Sequence, residues 1–474
     1  MTVSRALLLT AVLMLGWCLS AGGVSADEPS DRVTIRGETR TIWPSSDLRE
    51  RGYDVPDIPR DQNAAWTYIE AINAFTELPD DLGEVFDHTL KHGWPKTVAG
   101  RPDTAGKKLK VWITGPGNRR AMELARQASR KESCLFPSFG DSSGSVLAVL
   151  LPNLGHQRFL AKMLVADGKR LEAEGKYPQA LDNYVTVCRM GSHSAQGITL
   201  IDALVGVACW ALGDQAVRDM ALRRDLPPAL LEQVLQRTAE LAGNRPTIRR
   251  GMDMEKVTGL QLVDEFVTSP SRLLSNLQSL GSDFYFTDSA ANVRAKHGWP
   301  ALEARIGRLM FPDRTMKKHM SGFYDELIRR AELPGYEADW NGDWEEKLVL
   351  EIPRWNILAR MFLPSLARAS MLAERLRAAS QMTQVVAALR LYAARHQGAV
   401  PERLDDLADM LDDPEVLIDP LSGSQFVYQL EGKGWLLYSL GENLVDDGGR
   451  EGKRPWELDY VCRYPASERE RFTE

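Results

Sequence analysis

Cysteine is scarce in this chain, and what there is makes no pattern. Five are spread over 474 residues, and no two stand as CxxC. That excludes a zinc ribbon and a thioredoxin-like redox pair. Histidine is almost as thin, at seven, with no HExxH among them. There is no GxxxxGK[ST] and no GxGxxG, so the phosphate-cradling loops of nucleotide enzymes are missing. Long basic runs are absent too, and the formal charge is −7. Nucleic acid demands Lys and Arg for its phosphates, so it is not an expected partner. Beyond the first residues, no apolar run reaches the ~20 residues of a membrane helix.

What is present amounts to a core and an address. Hydrophobic residues make up 44% of the chain, which argues against global disorder. The length suits two or three domains at ~150 residues each. Arg5, the apolar stretch Ala6 to Leu19 and the small residues Val24-Ser25-Ala26 precede polar Asp27-Glu28-Pro29. This is the order of a secretory leader over residues 1–26. Retention as an anchor is the alternative. Cys18 invites a lipoprotein, but Trp17 is too bulky to precede a lipidated cysteine. The protein is expected to be exported, to the periplasm or beyond, with no membrane span after the leader is removed. Export permits disulfides without requiring them. Cys188 and Cys209 could meet on successive helices or stay as buried thiols.

Residues 27–60 form a polar extension in which Val33-Thr34-Ile35 and Thr41-Ile42-Trp43 could pair as a ribbon. It is expected to be loosely held. Asp61 suits the N-cap of a helix with Ala65, Tyr68, Ile69, Ile72 and Phe75 at helical spacing. Lys108 to Ile113 alternates like a short strand. Asn118 is placed to cap a helix through about Lys131. From about Leu154 one apolar face runs to Gly175, and Tyr177 opens the next helix, giving an αα-hairpin. Gly175-Lys176-Tyr177, Ala180-Leu181 and Tyr184 look like half of a tetratricopeptide motif, without the ~34-residue repeat of an array.

Ile198 to Leu212, interrupted by Asp202, predicts a buried core helix. Further helices are expected over about 227–242, 246–267, 301–331 and 365–396, with 268–300 irregular. Lys91-His92-Gly93-Trp94-Pro95 recurs as Lys296-His297-Gly298-Trp299-Pro300. We read it as an ordinary helix ending. Pro353 and Pro364 mark a boundary near 345–365. The expected fold is mainly α: an irregular helical bundle or solenoid over 61–350, then a small α+β module over 366–474.

That module is the most legible part. Leu372, Leu376, Ala379, Met382, Val386, Leu389 and Ala393 form a stripe that Gln397-Gly398 closes. Asp419-Pro420-Leu421-Ser422-Gly423 is a turn. Phe426, Tyr428 and Leu430 alternate on one strand, and Trp435 to Leu440 make the next. Glu431-Gly432-Lys433-Gly434 suits the hairpin between them. One sheet face should pack on the helix stripe, because a lone hairpin is marginal in water. An acidic Gly-rich loop, Glu442-Asn443-Leu444-Val445-Asp446-Asp447-Gly448-Gly449, follows.

The order Ala388-Leu389-Arg390-Leu391-Tyr392, Gly398-Ala399-Val400-Pro401, Leu404, Leu407, Asp419-Pro420, Gly423, Tyr428 and Tyr438-Ser439-Leu440-Gly441 resembles the globular part of the type II secretion major pseudopilin. The resemblance covers roughly the last quarter of the chain. It implies that the loop after the second strand binds calcium, through the backbone carbonyl of Leu440 and the side chains of Asn443, Asp447 and Asp459. Hard cations take six to eight oxygens of this kind. Asn443 stands where that family has an acidic ligand. The helix here also follows some 340 residues of other chain and carries Arg368, Arg375 and Arg377. A direct pilus subunit is therefore not implied. The upstream helices resemble uncharacterised exported helical bacterial proteins, which brings no activity.

Little else invites chemistry. Gly140-Asp141-Ser142-Ser143-Gly144 matches GxSxG, but a nucleophile elbow needs a strand before it, and Pro137 spoils that. His88 and His92 share a helical face and could hold a metal, with Asp87. The function expected is an exported, non-catalytic envelope protein, a binding or scaffold module for a protein partner, with calcium as its cofactor. The alternative is an extracytoplasmic hydrolase with its site in a helical groove, for which Ser142 is the one candidate nucleophile.

Overall fold

The structure is a computed structural model. It describes residues 32–95, 104–139, 153–268, 313–338 and 367–465, Lys433 and Pro455 excepted, with isolated positions between 338 and 367. The leader, the Gly140–Gly144 motif, the irregular 268–300 segment beyond Thr268 and the second Lys-His-Gly-Trp-Pro lie outside them.

Two strands open the chain, β1 (Arg32–Ile35) and β2 (Glu38–Thr41), paired antiparallel. Arg36 and Gly37 make the turn with positive φ. This hairpin is not loose. Arg36 donates through its backbone N–H to Asn73 Oδ1 at 2.7 Å and through Nη1 to the Phe75 carbonyl at 2.6 Å. Ile42 then bridges to Phe139. The short helix α1 (Ser45–Glu50) carries Leu48 into a satellite core with Tyr53, Val55, Ile198 and Met254. Buried apolar anchors thus overrule a polar composition.

Helix α2 (Ala64–Ala74) is capped by Asn63, whose Oδ1 accepts from the Ala65 N–H at 3.0 Å, rather than by Asp61. Helix α3 (Gly83–His92) ends at Gly93, whose φ of 85° fits a helix ending. The stretch expected as a strand is helical instead, α4 (Thr104–Ile113). Leu109 and Ile113, four apart, are fully buried, whereas Val111 is 74% exposed. Asn118 does not cap its own helix. It lies inside α5 (Pro116–Ala128), where its Oδ1 accepts from the Thr76 N–H and its Nδ2 donates to the Trp112 carbonyl.

The αα-hairpin forms as expected from α6 (Asn153–Ala173) and α7 (Tyr177–Ser194), with Gly175 at φ 72° between them. The strongly apolar run becomes α8 (Leu200–Ala221). It is long and apolar enough to cross a membrane, yet 67% of its apolar window is buried by neighbouring helices. Asp202 does not break it. With Thr199 it forms a reciprocal capping box that satisfies two orphan donors. Glycines set how close α7 and α8 come. A Cβ on Gly206 would lie 2.5 Å from the Gly191 carbonyl, and one on Gly191 would lie 2.6 Å from the Gly206 carbonyl.

Then come α9 (Pro228–Ala242), α10 (Arg249–Thr268) and α11 (Asp313–Ala331), the last two packed on each other. The long helix α12 (Ala367–Arg395) packs on α8 and α9 on one side and meets the carboxyl-terminal sheet and two 3-10 turns on another. From Ser380 to Leu391 every residue is buried, as expected of a helix covered all round. The sheet is antiparallel, in the order β3 (Val427–Glu431), β4 (Gly434–Ser439), β5 (Tyr460–Tyr464). The central strand β4 is buried along its whole length. The fold is therefore mainly helical with a small antiparallel module near the carboxyl end.

Candidate functional site

The acidic loop between β4 and β5 is built outward from a buried aspartate at its root. Asp419, 1% exposed, receives the Leu421 N–H at 3.0 Å and the Ser439 hydroxyl at 2.8 Å. Burial pushes its carboxyl pKa up. The Leu421 N–H, the Ser439 hydroxyl and the Leu440 N–H pull the other way. The turn Asp419-Pro420-Leu421-Ser422-Gly423 thereby fastens the end of β4, and with it the position of Leu440. Gly423, at φ 72°, has no room for a side chain, since a Cβ would come within 2.8 Å of the Tyr336 ring.

Beyond Leu440 the loop closes on itself. Gly441 adopts φ 67°, and a Cβ there would collide with the Leu458 carbonyl at 1.9 Å. The Glu442 N–H donates to the Trp456 carbonyl at 3.0 Å, and the Glu442 carboxylate pairs with Arg375 of α12. Asp459, also 1% exposed, gathers the acidic stretch. Its Oδ2 accepts from the Gly449 N–H at 2.8 Å and its Oδ1 from the Asp447 N–H at 3.4 Å. Asn443 Nδ2 donates to Asp447 Oδ2 at 2.9 Å. Burial raises the pKa of Asp459. The amides of Gly449, Asp447 and Arg450 oppose the rise, and the charge of Asp447 adds to it.

Three of the four expected ligands thus meet. Asn443, Asp447 and Asp459 share one hydrogen-bonded loop, and Leu440 stands at its root. Their polar atoms bond to each other and to backbone amides. Arg450 adds a cation, with Nη2 3.6 Å from Asp447 Oδ1. Among the described residues no group of three or more His, Cys, Asp or Glu is arranged to hold a metal ion. Any cation would need carbonyls and amides to complete its shell. No family model, curated protein or solved structure matches this chain. Its sites rest on their own geometry.

Sequence reasoning missed the groups that seat the loop on the bundle. Arg218 of α8 is buried and donates through Nη1 to Asp214 Oδ2 at 2.9 Å and to Thr383 Oγ1 at 2.9 Å, and through Nη2 to the Tyr460 hydroxyl. Tyr460 is the residue after Asp459. Arg390 of α12 donates to the carbonyls of Ala221 and Arg223, closing the carboxyl end of α8. The i,i+4 spacing of Asp214 and Arg218 was a local signal, but their partners lie far along the chain.

The helical groove has its own polar system. A cavity of about 540 Å³ is lined by Arg126, Asp167, Leu171, Pro178, Gln179, Asp182 and Asn183. Arg126 donates to Asn183 at 2.9 Å, and Asn183 donates to Asp167 at 3.0 Å. Asp167 is paired with Arg170 at 2.7 Å. These groups are bound to one another rather than aimed at a common point. Beside them, Tyr184 donates to Glu172, which burial pushes up in pKa against the charge of Lys169. The four described cysteines are free and buried, Cys188 and Cys209 included.

Proposed function

We propose that this is an exported, non-catalytic protein of the cell envelope. Its helical body is a scaffold, and its carboxyl-terminal loop is a calcium-responsive binding element for a protein partner. The observation that carries the proposal is the convergence of Asn443 and Asp447 on a loop gathered by buried Asp459. The succession of long helix, hairpin and acidic loop supports the likeness to the pseudopilin globular part. Calcium would take the carboxylate oxygens of Asp447 and Asp459, the amide oxygen of Asn443 after that amide turns, and the Leu440 carbonyl. It would also relieve the repulsion between Asp447 and Asp459.

Thermal unfolding with and without calcium tests this. A ligand that binds only the folded state stabilises it by about 2.7 kcal/mol at a hundred times its Kd. We expect added calcium to raise the Tm of the wild type and leave Asp447→Ala unmoved. A wild-type Tm indifferent to millimolar calcium would refute the calcium-responsive loop.

A further inference from the structure

A pair of histidines on α3 is used by nothing described so far. His88 and His92 are both exposed, and their ring centroids lie 4.8 Å apart on consecutive turns. Packing does not require them, because the buried face of α3 is made by Phe86 and Thr89. The helix ends at His92, and the Gly93 N–H takes the Thr89 carbonyl. Carbonyls after Thr89 therefore have no intrahelical partner, and the end of the helix that carries His92 is partially negative. That charge favours a cation.

We propose that His88 and His92 chelate a first-row transition dication such as zinc or copper(II), with water completing its coordination. Nitrogens held at about 2.0–2.1 Å from one zinc stand about 3 Å apart. Rings at the observed separation reach that spacing by modest χ rotation. Two imidazoles without carboxylates select borderline metals over calcium and magnesium, so this site is chemically distinct from the acidic loop. Asp87, expected from the sequence to assist, does not join the pair, and among the described residues no third His, Cys, Asp or Glu does.

Isothermal titration of the full chain with zinc chloride is the test. We expect a single zinc site, weakened about tenfold or more in His88→Ala and in His92→Ala and lost in the double variant. Asp447→Ala should bind zinc like the wild type. Because both rings are exposed, metal-free thermal unfolding of the histidine variants should match the wild type. Unchanged zinc binding in the double variant overturns the proposal. So does a wild type that takes up no zinc at millimolar concentration.

Discussion

His193 gives the folded state a defined weakness to acid. The ring is buried, its Nε2–H donates to the Lys131 carbonyl at 2.9 Å, and its Nδ1 accepts from the Tyr68 hydroxyl at 3.0 Å. Both nitrogens are thus satisfied in the neutral form. A proton on Nδ1 would make the Tyr68 hydroxyl turn to accept it, and would hold the charged ring out of water. Burial lowers the pKa from 6.5 to about 4, against the Lys131 carbonyl bond, which favours the proton. Above pH 6.5 the folded and unfolded chains are both deprotonated here, and the full stability is present. Between 6.5 and 4 the unfolded chain takes up a proton that the folded chain refuses, so stability falls as pH falls.

Between pH 7 and pH 4.5 the loss is about 2 kcal/mol. Asp202 and Glu255 act in the opposite sense. Burial raises them to about 6 and about 7, so their folded forms hold protons better and gain stability as pH falls through the same range. The net wild-type curve therefore mixes opposed contributions, and the comparison must be with His193→Gln. Gln keeps a donor and an acceptor and does not titrate. Urea unfolding at both pH values should show the variant less stable than wild type at pH 7, with the gap closing by about 2 kcal/mol at pH 4.5. A gap of the same size at both pH values would sink this reasoning. So would an imidazole that titrates near 6.5 by NMR.

Two further outcomes concern packing. Gly206→Ala puts a Cβ against the Gly191 carbonyl and the Ala195 backbone, and should cost about 1–3 kcal/mol in chemical unfolding. Gly243→Ala, which meets nothing within 4 Å, serves as the neutral control. Arg218→Ala leaves Asp214 buried without its paired cation, with the Thr383 hydroxyl still bonded to it. It should destabilise by about 3–5 kcal/mol, with part recovered by adding Asp214→Asn. A fully additive double variant would contradict the pairing.

Helices with a strong apolar stripe were legible, and α6, α7, α8, α9 and α12 fall close to where periodicity places them. Short segments were not. Over six residues, Lys108 to Ile113 satisfies both a period of two and the four-residue spacing of Leu109 and Ile113, and tertiary burial chose the latter. Asp61 and Asn63 are both good caps, and the choice fell to Asn63, which also accepts the Leu135 N–H. In the carboxyl-terminal module, turn residues with special φ announced the hairpin and its loop. Gly432 and Gly441 both have positive φ. The grip of Arg218 on Tyr460 spans 242 positions. Such a contact leaves no mark in local pattern, because either residue alone reads as an ordinary surface side chain.

The all-round burial of α12 from Ser380 to Leu391 has a consequence for assembly. The centre of the molecule is finished by a segment that leaves the ribosome long after α8 and α9, whose exposed flanks must wait for it. Its hydrogen bonds to α8, Trp210 to Ser380 and Arg218 to Thr383, join residues 170 and 165 positions apart, so closing this core is slow and comes late. A fragment ending before Ala367 would keep most of the helices yet lack their common wall. It should be recovered as a sticky, loosely ordered species rather than a smaller version of the whole.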